Sequence, residues 1–304
     1  MLSFEDFMET NPLRGIFCMM GAMLLISVQE ALAKYLGEFL PVAQVVWARY
    51  LGHLVLMAAF LWPKHGVKLL KSEQLFTQVG RSLILLIDTV LFFFGLTMLG
   101  LAEATAIFFT VPLLVLLISI PLLGERVSVA SIIAIAVGFI GTLIIVRPGM
   151  NDLNSAETGI GALCIFGSAC CAAIYNVTTR KLSGNDPLSV TLFYTAMVGA
   201  ITTSLFVPFV WQIPPSFLAW AALLCIGLFG GMAHSLIIIS HQYAPATTVA
   251  PFMYSQIFWA LGLGWLLFSD LPDLPAYLGG VIVIGSGLYL FCRDYSRART
   301  VHKR

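Results

Sequence analysis

Apolar runs of about twenty residues alternate with short polar breaks along the whole chain, and this rhythm sets the architecture. A hydrocarbon layer ~30 Å thick is crossed by about 20 mostly apolar residues at 1.5 Å rise each. Ten windows meet that demand: 14–35, 41–62, 79–99, 102–122, 129–147, 159–180, 188–210, 217–240, 246–268 and 275–293. The breaks between them carry turn or charge signals, among them Gly37–Pro41, KHGVKLLKSEQ, GERVS, RPGMNDLNSAE, KLSGNDP, WQIPP, QYAPA and SDLPDLP. Most are too short to hold a folded soluble domain. The predicted fold class is therefore all-α integral membrane, with ten transmembrane helices.

Composition strengthens this reading. The chain is 59% hydrophobic and 10% charged, against about 45–50% and about 25% in soluble domains. With a mean hydropathy of +0.94, there are too few charges to cover a water-exposed surface. The formal net charge of +1 gives no sign of a nucleic-acid partner. The six cysteines (Cys18, Cys164, Cys170, Cys171, Cys225 and Cys292) lie in or beside apolar runs, without metal-ligand or secreted-framework spacing, and read as packing residues. The N-terminal stretch MLSFEDFMETNPLRG is acidic and lacks the basic region of a cleaved signal peptide, so the first run is expected to stay in the membrane. No Gly-rich phosphate loop, H-E-x-x-H or G-x-S-x-G pattern is present. No cofactor is implied, and neither an ATPase nor a membrane enzyme is expected.

The basic residues orient the spans. With a cytoplasmic N-terminus, the inner side holds Arg14, Lys64, Lys68, Lys71, Arg81, Arg126, Arg180, Lys181, Arg293, Arg297, Arg299, Lys303 and Arg304, which is thirteen of the 16 Lys and Arg. The outer side keeps Lys34 and Arg147. The positive-inside rule then places both termini in the cytoplasm, in agreement with an even number of spans.

The chain also repeats itself. AEATAIFFTVPLLVLLISIPLLGE (102–125) followed by RVSVASIIAIAVGFIGTLIIVR is echoed by APATTVAPFMYSQIFWALGLGWLLFSD (244–270) followed by LPDLPAYLGGVIVIGSGLYLFCR. Five spans per half is an odd number, so the halves, 1–150 and 151–304, are expected in opposite orientations. Inverted repeats place a substrate site at their interface, near the midplane. With VVWARY in the second span and RPG after the fifth, these segments resemble the EamA branch of the drug/metabolite transporter superfamily. The resemblance covers nearly the whole chain. It implies two EamA repeats around a central cavity with alternating access, working as a monomer or a homodimer in the bacterial inner membrane. VVWARYLGHLVLM and AEATAIFF are most similar to a proteobacterial group that includes riboflavin importers and S-adenosylmethionine-type carriers. Exporters of amino acids and related metabolites share the fold, so direction and substrate stay open.

Charged residues inside spans cost ~2.5–3.5 kcal/mol each on insertion scales and usually face the bundle interior. Glu30, Arg49 and Asp88 are such residues, and Glu103 opens the fourth span. Arg49 either neutralises Glu30 or Asp88, or meets a charged part of the substrate, or snorkels to the headgroups. Asp88 is the candidate for proton coupling, or else a partner for Arg49. His234 offers a second titratable group in the eighth span, with a buried structural histidine as the alternative. Lys34, near a span end, is expected to snorkel. Gln29, Phe92, Tyr175, Asn176, Tyr254, Gln256 and Trp259 are candidates to shape the cavity, where amides and phenols need hydrogen-bond partners. The small-residue patterns Gly227-Leu-Phe-Gly-Gly231 and Ala134-Ile-Ala-Val-Gly138 are expected at close helix crossings. Pro112 and Pro251 are expected to bend the fourth and ninth spans. Glu125 and Asp270 read as helix-end residues.

Overall fold

The computed structural model describes residues 12–99, 104, 107–124, 128–146, 156–183, 186–257 and 259, together with 274, 278–282, 285–286, 289 and 293. In chain order these form α1 (Pro12–Gly37), α2 (Val42–His65), a 3-10 turn (Gly66–Leu70), α3 (Leu75–Met98), α4 (Val111–Leu123), α5 (Val129–Val146), α6 (Ala156–Leu182), α7 (Leu188–Ser204), a 3-10 turn (Val207–Phe209), α8 (Phe217–Tyr243), α9 (Ala246–Val249) and a 3-10 turn (Ala250–Tyr254). Among the described residues α1, α2, α3, α6, α7 and α8 are long and apolar enough to cross a membrane, and α4 and α5 are shorter apolar helices.

The helix ends follow local chemistry. Pro41 and Pro187 sit in extended backbone (φ −58°, ψ 141° and φ −57°, ψ 141°) just before α2 and α7, at matching places in the two halves. The Ser216 hydroxyl accepts from the Ala219 backbone N–H and caps α8. Gly124, with φ 63°, ends α4 in the left-handed conformation that costs glycine nothing.

The polarity is inverted relative to a soluble domain. Large apolar side chains such as Phe76, Leu224 and Val281 are exposed on the outside, where lipid solvates them, while Gln29, Glu30, Arg49, Arg81, Asp88 and His234 are buried. Packing depends on small residues. A Cβ on Gly52 of α2 would lie 2.7 Å from the Gly227 Cα of α8, and one on Gly227 would lie 2.6 Å from the Gly52 Cα. The two backbones therefore touch directly, as the 227–231 pattern predicts. Gly138 of α5 faces side chains instead of a helix backbone: a Cβ there would meet the Tyr254 ring at 3.0 Å.

Several expectations change. Pro112 and Pro251 do not interrupt helices; each occupies a first-turn position, of α4 and of the Ala250–Tyr254 turn. A first-turn N–H has no intrahelical acceptor, so proline removes nothing there. The fourth span instead breaks at a turn over Phe109–Thr110. Helix α3 begins at Leu75, four residues before the expected start at 79, which draws Arg81 into the bundle at 1% exposure. The C-terminal part of the ninth span from 260 on, about half of the tenth, and Glu103, Glu125 and Asp270 lie outside the described residues.

Candidate functional site

A cavity of about 70 Å³ lies in the middle of the bundle. Helix α1 supplies Gln29 and Glu30, α2 Arg49, α3 Asp88, Thr89, Phe92 and Phe93, α6 Tyr175 and Asn176, and α8 His234, with Gln256 following the Ala250–Tyr254 turn. Nine of the sequence candidates thus line one space. Tyr254 and Trp259 do not. The Tyr254 ring packs beside Phe109 at 5.6 Å between centroids, and Trp259 Nε1 donates to the Met20 carbonyl at 3.2 Å.

Arg49 is 3% exposed, and its guanidinium is spread over three neutral groups. Nε donates to Gln29 Oε1 at 3.2 Å and Nη1 to Thr89 Oγ1 at 2.9 Å, while Nη2 donates to His234 Nε2. A guanidinium has no acceptor, so His234 Nε2 accepts and the neutral ring carries its proton on Nδ1. The Tyr50 ring lies 4.6 Å from Arg49 Cζ and adds a cation–π contact. Room for this arrangement comes from Gly230 and Gly231 of α8: side chains there would strike Gln29 Oε1, Arg49 and the His53 ring.

The carboxylates are held separately. Both Glu30 oxygens accept from Gln256 Nε2 at 2.9 Å. Asp88 Oδ1 accepts from the Ser168 hydroxyl at 2.5 Å. Among the described residues no ion pair joins Arg49 to Glu30 or Asp88. One guanidinium and two carboxyl groups therefore surround a single cavity, each hydrogen-bonded to neutral side chains and none ion-paired to another among the described residues. Tyr175 Oη and His234 Nδ1, both buried on the same wall, have no hydrogen-bond partner among the described residues.

Arg81 is the residue that sequence reasoning missed. Its Nη1 donates to Thr179 at 3.0 Å, and its Nη2 to Thr195 Oγ1 at 2.6 Å, the Thr191 carbonyl at 3.1 Å and Gln78 Oε1 at 3.3 Å. Its Cζ lies 5.1 Å from the Tyr175 ring centroid, so Tyr175 stands between Arg81 and the cavity. The signal was present in the sequence: Gln78, Arg81, Asp88 and Thr89 recur along one helical face. Beyond Arg81, outside the spans, Asp186 ties the loop before α7 to the loop before α3. It accepts from Ser72 Oγ at 2.5 Å, the Glu73 N–H at 2.8 Å and Gln78 Nε2 at 2.9 Å. Burial pushes this carboxyl up, but those donors outweigh it and hold it below its ordinary value of 3.8.

Helices apolar outward and charged inward, closed around a small polar cavity, define an integral membrane protein built to handle a polar solute. The chain belongs to the EamA-like transporter family, whose model matches it twice, over residues 13–147 and 159–292. It is a membrane transporter of small metabolites and not an enzyme. It is similar to the S-adenosylmethionine uptake transporter of Rickettsia prowazekii, 25% identical over 96% of this chain and 97% of the relative. It is also similar to the pseudopaline exporter of Pseudomonas aeruginosa, at 29% over 89% and 93%, and to the riboflavin transporter of Vibrio cholerae, at 26% over 95% and 96%. A protein of known crystal structure superposes with a TM-score of 0.72 over 90% of this chain and 94% of its own, at 21% identity, a likeness of fold alone.

Proposed function

We propose that this protein is a secondary carrier for a metabolite that bears a carboxylate together with cationic centres, of the S-adenosylmethionine class. The observation that carries the reading is the unpaired charge set on one cavity: Arg49 to receive a carboxylate, Glu30 and Asp88 to receive cations. S-adenosylmethionine offers a carboxylate, an ammonium and a sulfonium. Riboflavin carries no charge and offers Arg49 no carboxylate to receive in a low-dielectric site, a costly arrangement.

The cavity of about 70 Å³ holds a few waters, whereas ligand sites span about 300–1,000 Å³. The walls therefore move during transport. Two inverted halves of five spans each, 1–150 and 151–304, rock around the site, and the turn at Phe109–Thr110 before α4 and the 3-10 turn Ala250–Tyr254 after α9 are the flexing segments. Asp88 and Glu30 exchange protons or substrate cations as the site changes sides. Ten spans with both termini in the cytoplasm, in the bacterial inner membrane, complete this reading, and one chain supplies both halves of the site.

Thermal unfolding of the purified protein tests it. A ligand that binds only the folded state stabilises by about 2.7 kcal/mol at a hundredfold excess over Kd. S-adenosylmethionine is expected to raise the melting temperature, riboflavin to leave it unchanged, and Arg49→Gln to abolish the response while keeping its own transition. Stabilisation by riboflavin alone, or an undiminished response in Arg49→Gln, would overturn the assignment.

A further inference from the structure

A second cavity, of about 220 Å³, opens near the α1–α2 loop, lined by Lys34, Gly37, Glu38, Val42 and Phe93 among others. Phe93 also lines the central cavity, so its ring is a wall common to both. The ring is 5% exposed and packs with Phe92, which in turn meets Phe108 edge-on at 4.9 Å. Lys34 and Glu38 stand in line with the central site. Glu30 and Lys34 fall at i and i+4 on one face of α1, about 6 Å apart along its axis at 1.5 Å per residue, and Glu38 follows in the turn just past the helix end at Gly37. The larger cavity thus presents one cation and one anion, with no ion pair between them among the described residues, and the smaller cavity behind Phe93 presents the same two signs.

We propose that this vestibule is a second, outer binding site, in which Lys34 and Glu38 receive the dipolar head of a solute before it reaches Arg49 and Glu30, and that the Phe93 ring is the barrier between the two sites. The ligand class rests on the reading above; the route and the barrier do not. The outer site holds the solute weakly, because both charged heads stay hydrated. Rotation of a single aromatic side chain joins the two cavities, with no movement of the helix backbones, so passage through Phe93 is separable from the larger rearrangement that turns the central site to the opposite face.

Accessibility labelling tests this without any transport substrate. The six cysteines of the full-length protein are replaced by serine and one cysteine is introduced at Ala172, which lines the central cavity on α6. A cationic trimethylammonium-ethyl methanethiosulfonate and its anionic sulfonate counterpart are applied separately to each face of membrane vesicles. Phe93→Ala is expected to speed labelling about tenfold, only from the face carrying the α1–α2 loop, as removal of a lid does. Phe93→Leu, which keeps the packing volume, is expected to fall between the two. In the Phe93→Ala background, Lys34→Gln is expected to raise the cationic-to-anionic rate ratio about threefold and Glu38→Gln to lower it about threefold, as field focusing in a narrow mouth requires. Labelling within twofold of the parent in both Phe93 variants, with monodisperse protein, would overturn the barrier. A rate ratio that does not shift in opposite directions in the two glutamine variants would overturn the outer site. Neither result depends on which metabolite stabilises the protein, so failure here is distinct from failure of the S-adenosylmethionine assignment.

Discussion

At the scale of single residues, Arg49 shows how a charge is held inside a membrane protein by neutral groups, with no ion pair among the described residues. Its three donating nitrogens reach three side chains on three helices, Gln29, Thr89 and His234. A planar fork achieves this and a lysine ammonium on a flexible stem does not. Each hydrogen bond to a charged group contributes about 1.5–3 kcal/mol, so loss of even one of these lowers stability and loosens the site. Arg49→Lys is therefore expected to fold with a lower melting temperature than the parent and to transport about tenfold more slowly, because the ammonium does not hold the geometry of the fork. Initial uptake rates in proteoliposomes, normalised to folded protein, check this. Wild-type rates in Arg49→Lys would mean that charge alone suffices and that the fork geometry is immaterial. The carboxylates follow the same pattern, since Asp88 rests on Ser168 and Glu30 on Gln256.

At the scale of helices, the Gly52–Gly227 contact decides how closely α2 and α8 approach, and so whether Arg49 meets His234. A methyl at Gly52 would sit 2.7 Å from backbone atoms of α8, which no rotamer change relieves. Overpacking of this kind costs about 1–3 kcal/mol. Gly52→Ala is expected to lower the melting temperature and weaken ligand binding together, because the displaced helix carries the site. Gly80→Ala in α3 is the matched control: a Cβ there meets nothing within 4 Å, and the gain in helix propensity of about 0.5–1 kcal/mol is expected to stabilise the protein slightly. Equal behaviour of the two variants would remove the special role of the α2–α8 crossing.

At the scale of the whole molecule, hydrogen bonds join the two family repeats at both ends of the bundle. Gln44 donates to the Gln212 carbonyl at 2.7 Å and accepts from the Gln212 N–H at 2.8 Å, at the end that carries the α1–α2 loop. Asp186, with Ser72, Glu73 and Gln78, closes the other end. The proposed cycle of alternating access releases one closure while the other holds. The Asp186 closure has a pH signature. Its carboxyl is held below 3.8 in the folded protein, so the unfolded chain binds the proton more readily. The contribution is fully present above the unfolded value of about 3.9, and is lost as pH falls through the lower folded value. Asp186→Ala is expected to flatten the fall in melting temperature below about pH 4, while leaving its shape near neutrality unchanged. An unaltered acid limb in the variant would assign the acid sensitivity to other groups.

Much of this was legible before the structure. Span length, outward polarity, the repeat and the intramembrane charges depend on the thickness of the bilayer and the cost of burying a charge, and both act locally along the chain. Hence α1, α2, α3, α6, α7 and α8 begin and end within a few residues of the expected windows, apart from the C-terminal end of α7, and nine candidate residues share one cavity. The partners were not legible. Gln256 lies 226 residues from Glu30 and Ser168 lies 80 from Asp88, distances over which hydropathy carries no information. Arg81 was counted among the cytoplasmic-side cations at the start of the third span, because the start of α3 depends on packing against α6 and α7, not on the hydrophobic run itself. By itself the sequence determined that charges would stand inside an apolar bundle; only the tertiary structure decided that Arg49 would lean on neutral groups and leave the carboxylates unpaired, because helix rotation and crossing distance are set by contacts between helices, through glycines whose effect depends on what lies opposite them.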